Sequence, residues 1–158
     1  MKVSQNWLKE LVDINTTPEE LSEKLSIGGF EVESLVDTSS KFKGIVLGKV
    51  LSVDKHNDSD KLSICIVDIG TEKLQIICGA NNVRAEIYVY DATIGTYLDK
   101  VDLTIKASEI RGVHSEGMIC SLEELGLEEK SNGIAIVEKS VTQKFELGTP
   151  ISDLLELN

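Results

Sequence analysis

Two polar stretches hold the side chains best suited to chemistry. The first runs Lys55-His56-Asn57-Asp58-Ser59-Asp60-Lys61-Leu62. The second runs Ile105-Lys106-Ala107-Ser108-Glu109-Ile110-Arg111-Gly112-Val113-His114-Ser115-Glu116-Gly117-Met118-Ile119-Cys120-Ser121. Each places cations, amides and hydroxyls on what reads as a loop between apolar, strand-like runs. Ammonium and guanidinium groups bind phosphate oxygens, while amides and hydroxyls bind backbone and sugar groups. Neither stretch contains a nucleophile with its base, or the ligand spacing of a metal cage. The pattern points to a recognition module gripping a phosphate-rich polymer, and away from a catalyst.

Other candidate motifs are weaker. Asn81-Asn82 follows Cys78-Gly79-Ala80, where the glycine ends a strand and the paired amides bond either the turn backbone or a ligand. Lys61, Arg84, Lys106 and Arg111 bind phosphates if they cluster and are ordinary solvated charges if they do not. Gly44 to Val50 superficially suggests a phosphate loop. It has three residues between its glycines where that loop needs four, and Val50 lacks the required hydroxyl, so it reads as a strand with a bulge glycine. Asp54, Asp58 and Asp60 share one loop, but counting from Asp54 or Asp58 gives neither the glycine nor the glutamate of a calcium loop. They read as turn-builders. His56 and His114 read as surface histidines, with His56 still available as a polar contact to RNA, and no acid has a diagnostic spacing to a His114/Cys120 pair.

Composition narrows the class. A chain of 158 residues, 41% hydrophobic and with two prolines, builds a core and suits one domain or a domain with a small appendage. Its apolar runs fall far short of the roughly 20 residues of a membrane span, and no signal peptide opens it, so a cytoplasmic location is expected. Cys65, Cys78 and Cys120 are odd in number and lack a CxxC pattern, which reads as small buried hydrophobes. Net charge is −11: residues 1–40 carry −5, residues 41–150 carry −4 and the last eight −2. Such a chain repels polyphosphate at long range, so any nucleic-acid contact needs a local basic patch.

Stepping outward from the loops, the positioning elements are mostly strands. A helix is expected over residues 4–14, capped by Ser4, with Trp7, Leu8, Leu11 and Val12 on one face. A second begins at Thr17-Pro18 with Glu20 completing a capping box, and stops at Gly28-Gly29. A strand-like run from Phe30 to Val36 ends at the polar break 38–41. Beyond it the expected strands are 45–53, 63–69, 74–78, 87–91, 101–105 and 134–138, with a short helix over 121–127. This suits a mainly β, α+β chain built on an OB-type Greek-key barrel over residues 40–150. The tail Thr149 to Leu157 restarts a helix and stops with three leucines uncovered, which suggests truncation. Residues 1–39 and 151–158 are then parts of one discontinuous, truncated N-terminal domain into which the barrel is inserted.

These residues also carry a resemblance. His56-Asn57-Asp58-Ser59-Asp60-Lys61-Leu62, Val67-Asp68-Ile69-Gly70 and Gln75 to Val83 resemble the tRNA-binding OB-fold domain of aminoacyl-tRNA synthetases, as do Ile110 to Ser121 and Glu124 to Leu127. Met1-Lys2-Val3-Ser4 with Asn6 to Glu10, Glu19-Glu20-Leu21 and Gly28 to Glu33 resemble the start of the bacterial phenylalanyl-tRNA synthetase β chain. The resemblance covers nearly all of the chain. One departure is Asn57, where the family usually has proline, so the first loop is less rigid here.

The resemblance implies an α2β2 enzyme that activates phenylalanine with ATP and magnesium and transfers it to tRNA. Its aminoacylation centre lies on the α chain, and editing and anticodon recognition lie in later β regions. No cofactor and no catalytic residue is expected in the present chain, whose partners would be tRNA, the remainder of the β chain and the α chain. Within that frame Lys61, Arg84, Lys106 and Arg111 are expected on phosphates, and Asn81, Asn82 and Ser115 on backbone or 2′-OH groups. Three Phe, three Tyr and one Trp are too few for stacking many bases, which favours recognition of shape. The alternative is a purely structural module that touches no RNA.

Overall fold

Apolar residues on both faces, Ile45 and Leu47 on one and Val50 on the other, build the strand on which the rest pairs. In the computed structural model, which describes residues 1–155, β1 (Ile45–His56), β2 (Ser59–Asp68) and β3 (Lys73–Cys78) form an antiparallel meander. β4 (Tyr88–Thr93) pairs antiparallel with the first part of β1, Ile45 lying opposite Ala92 and Lys49 opposite Tyr88. Two short hairpins follow, β5 (Tyr97–Leu98) with β6 (Leu103–Thr104) and β7 (Ser108–Ile110) with β8 (Val113–Ser115). β9 (Gly117–Ile119) and β10 (Ile136–Val137) both pair with β4.

The sheet must curl for its edges to meet. The β1–β2 register steps from Val50/Val67 to Ser52/Ile66, leaving Leu51 as an extra residue, and such a bulge sharpens the twist. Closure then comes from β3 meeting β8 and β9. The Glu116 N–H donates to the Gln75 carbonyl at 2.8 Å, and the Gln75 side-chain amide donates to the His114 carbonyl at 2.8 Å. The Ile77 N–H donates to Ser115 Oγ at 3.1 Å, a hydroxyl standing where a strand carbonyl would be.

Two apolar clusters hold the barrel. Val50, Cys65, Val67, Ile76, Val89 and Ile119 fill one side of the sheet. Ile45, Leu47, Tyr90, Leu98, Ile105, Cys120 and Ile151 form the other, covered by the segments after β4. The three cysteines are buried and free, and the neighbouring Cys78 thiol together with burial pushes the Cys65 thiol up. Asp91 is fully buried and neither of its carboxylate oxygens has a hydrogen-bond partner. Burial therefore pushes its carboxyl up to about 7.

Both N-terminal helices form, the first with shorter bounds than the apolar spacing suggests and the second between its expected cap and stop. α1 is Gln5–Leu11, and Ser4 makes no side-chain cap bond. α2 (Pro18–Ile27) has the full capping box, Thr17 accepting from the Glu20 N–H and Glu20 accepting from the Thr17 N–H. Gly29, at φ 94°, ends it, with Phe30 N–H donating back to the Leu25 carbonyl. No residue of either helix is buried. The run Phe30–Val36 forms no strand, and Phe30, Leu35 and Val36 stand exposed, because no neighbouring strand supplies its ladder bonds.

Four further expectations are corrected. Residues 101–105 hold only the two-residue β6, preceded by a 3-10 turn over Asp99–Val101. The Ser121/Glu124 box closes, with Glu124 accepting from the Ser121 N–H at 2.7 Å, but it starts one turn and no helix. Gly48 is not a bulge: it pairs regularly with Val89, and a Cβ there would lie 2.7 Å from Val67. The tail was expected against the N-terminal helices. Instead, beyond the short α3 (Lys139–Thr142), Leu47 N–H donates to the Thr149 carbonyl, α4 (Ile151–Leu154) buries Ile151 in the barrel cluster, and Leu154 and Leu155 pack beside it. Leu157 lies outside the described residues.

Candidate nucleic-acid interface

The two polar stretches meet. His56 ends β1, and the two-residue turn Asn57-Asp58 leads into β2. His56 is buried, 4% exposed, and uses both ring nitrogens. Nδ1 accepts the Asp58 N–H at 3.1 Å, closing the turn as an Asx side chain would. The ring then carries its hydrogen on Nε2, which donates to the Ile110 carbonyl at 3.1 Å. Ile110 ends β7, so the histidine ties the first stretch to the tip of the second. The expectation of a surface histidine is corrected: its ring is consumed by the fold.

The tip itself is Arg111-Gly112, joining β7 to β8. Both residues have positive φ, 49° and 81°, the combination that two-residue hairpins need to match strand twist. For arginine this conformation is unfavourable. Its guanidinium Nη1 donates to the Asp58 carbonyl at 2.8 Å, a second tie between the stretches. What read as one long loop is thus a hairpin and a barrel strand, β7 to β9.

The other candidates divide. Lys61 is exposed on β2 just past the turn, and its N–H donates to Ser59 Oγ at 3.3 Å. Asn81 and Arg84 are exposed on the β3–β4 connection, which leaves the same end of the barrel as the β1–β2 turn. Lys106 lies at the opposite end, beside Ile105, whose backbone bonds Gly95 and Thr96. No carboxylate lies within ion-pairing distance of Lys61, Arg84, Lys106 or Arg111 among the described residues.

Two expected contacts are internal. Asn82 gives both ends of its amide to Ile134: Nδ2 donates to the carbonyl at 2.9 Å, and Oδ1 accepts the N–H at 3.0 Å. Gly133 leaves room for that amide, since a Cβ there would collide with it. Ser115 is 2% exposed and its hydroxyl serves the Ile77 N–H. The buried Ser115 hydroxyl and the half-buried Asn82 amide are thus both committed to partners within the fold. Lys55 is also exposed beside the turn, a cation that its place in the sequence does not single out.

A groove of about 560 Å³ opens between the end of β3, residues 118–124 and residues 131–134. Ile77, Met118 and Ile134 line it with Glu123 and Glu124. Glu124 accepts from Ser121 and Glu123 from the Ser131 N–H, so both act as carboxylates holding their own loop. Two carboxylates make this groove a poor place for phosphate.

Comparison with known proteins agrees with this geometry. The family model "Putative tRNA binding domain" matches residues 45–146, well over half of the chain. Over its whole length the chain is 70% identical to the phenylalanine–tRNA ligase beta subunit of Prochlorococcus marinus (strain MIT 9312), covering 20% of that protein. It is 53% identical, again over its whole length, to the same subunit of Synechocystis sp., covering 19% of it. The chain thus spans about one-fifth of the length of these curated relatives. A MetRS related protein from Pyrococcus horikoshii shares the fold, with TM-score 0.52 and 21% identity over 74% of this chain and 97% of that one. The match runs from the start of β1 to residue 146, and the chain belongs to the family described as a putative tRNA binding domain.

Proposed function

We propose that the chain is an accessory module that contacts and orients tRNA within a phenylalanine–tRNA ligase. One observation supports the reading: the β1–β2 turn and the β7–β8 tip are bonded to each other, with Lys61 three residues beyond Asp58 and Arg111 at the tip, neither paired with a carboxylate among the described residues. Asn81 and Arg84 extend it at the same end of the barrel. Lys106 lies apart from this surface, beside Ile105. Asn82 and Ser115 act by shaping the barrel rather than by touching RNA.

The mechanism is positioning. Cations meet phosphates, and exposed amides and turn groups meet backbone or 2′-OH groups. Asp58, Asp60 and Glu109 share these stretches, which keeps the local potential modest. ATP and magnesium belong to the proposed whole enzyme, and catalysis to its α chain. Among the described residues no group of three His, Cys, Asp or Glu side chains converges as if to hold a metal. No described helix is long and apolar enough to cross a membrane, and the proposed setting is the cytoplasm.

Titration of the chain with a phenylalanine tRNA transcript at two salt concentrations tests the reading. Weak binding that falls steeply with salt is expected, and Lys61→Glu with Arg111→Glu should abolish it. Tight, salt-independent association, or binding unmoved by those charge reversals, contradicts it.

A second reading rests on exposed apolar side chains. Trp7, Leu11, Ile27 and Phe30 are each more than half exposed. In this reading residues 1–39 pack on the remainder of a phenylalanine–tRNA ligase β chain, and the module is a scaffold. Unchanged tRNA affinity after charge reversal in the full ligase would favour it.

A further inference from the structure

His56 is unlike the other polar groups of this surface. It is buried, carries no net charge in the tautomer its bonds require, and sits between the two segments that present the cations. A solvent-exposed hairpin of three-residue strands has little else to fix its tip. The ring bond to Ile110 and the guanidinium bond to Asp58 cross between the same two segments in opposite directions. One runs from the turn to the tip, the other from the tip to the turn. Together they form a two-point clasp.

We propose that His56 is a positioning residue for RNA contact: by clasping the turn to the hairpin tip it sets the spacing of Lys61 and Arg111, so that the two cations meet the RNA backbone as a unit. The inference rests on the reading that this surface binds phosphates. A preformed pair of cations loses less freedom on binding than two independently moving ones, so the clasp strengthens binding without itself touching RNA. It also relieves Arg111 of choosing its own backbone conformation when RNA arrives.

The test uses the 158-residue chain and a phenylalanine tRNA transcript. In His56→Asn the shorter amide can still accept the Asp58 N–H but does not reach Ile110. In His56→Gln the longer amide keeps the donor near the former Nε2 position. Breaking one hydrogen-bonded link should weaken binding roughly three- to tenfold in His56→Asn, with His56→Gln restoring most of it. The slope of log affinity against log salt should stay unchanged in both, because no cation is removed. Lys61→Ala and Arg111→Ala should each lower that slope instead. Binding in His56→Asn equal to the parent overturns the proposal, as does a loss that His56→Gln fails to recover.

Failure of the two kinds is separable. If the cation substitutions weaken binding while His56→Asn does not, the surface is right and the clasp is wrong. If neither matters, both fall. Hydrogen exchange of the Asp58 amide in the unsubstituted chain needs no variant: it should slow several-fold when tRNA binds, and unchanged exchange also overturns the clasp.

Discussion

Asp91 is a residue whose chemistry the sequence conceals. It lies mid-strand in β4, opposite Val46 and Ile119, where alternation gives no hint that a carboxylate turns inward. Its folded pKa of about 7 exceeds the unfolded value near 3.8 because burial disfavours the charge. Between those values the folded chain holds a proton that the unfolded chain has released. Stability therefore falls as pH rises from about 4 to about 7, and levels off above. The penalty is bounded at about 4 kcal/mol by the size of the shift. Asp91→Asn should raise the melting temperature at alkaline pH and flatten its dependence across this window. A parallel, undiminished pH dependence in thermal melts of the variant would count against the assignment.

At the scale of elements, local rules worked where local bonds decide the outcome. The α2 capping box and its glycine stop are sequence patterns that bond within a few residues, and both formed as read. The β1–β4 strands were legible because each carries a run of β-branched and apolar residues. β7 to β9 were not, since Ser108-Glu109, His114-Ser115 and Gly117 lack such runs: β7 and β8 are strands by pairing with each other, β8 meets β3 through the Ser115 hydroxyl, and β9 is a strand because β4 offers ladder bonds. Ser115 carries that dependence. Ser115→Ala would leave the buried Ile77 N–H unpaired, costing about 1–3 kcal/mol in urea unfolding. Faster exchange of the Ile77 amide should accompany it, and an unchanged midpoint would show that closure does not rely on the hydroxyl.

The whole molecule is unevenly held. Residues 1–37 bury no side chain among the described residues, while every buried group from Phe42 onward belongs to the barrel or its cover. A chain of residues 40–158 should accordingly melt within a few degrees of the full chain, since little apolar contact is lost. A large drop would mean that the N-terminal helices do stabilise the barrel. The proposed domain boundary near residue 40 stands or falls with this measurement.

From its sequence alone the chain declared its mainly β class, its two helix starts, its acidic balance and the two polar stretches that matter. Those features depend on residue type and short spacing. Which polar groups face outward was decided by the tertiary structure. Asn82 and Ser115 read as ligand contacts and His56 as a surface histidine, but each finds a partner far along the chain, at Ile134, Ile77 and Ile110. A buried donor or acceptor must be satisfied by whatever the fold brings beside it, and that neighbour is invisible until the distant strands have met.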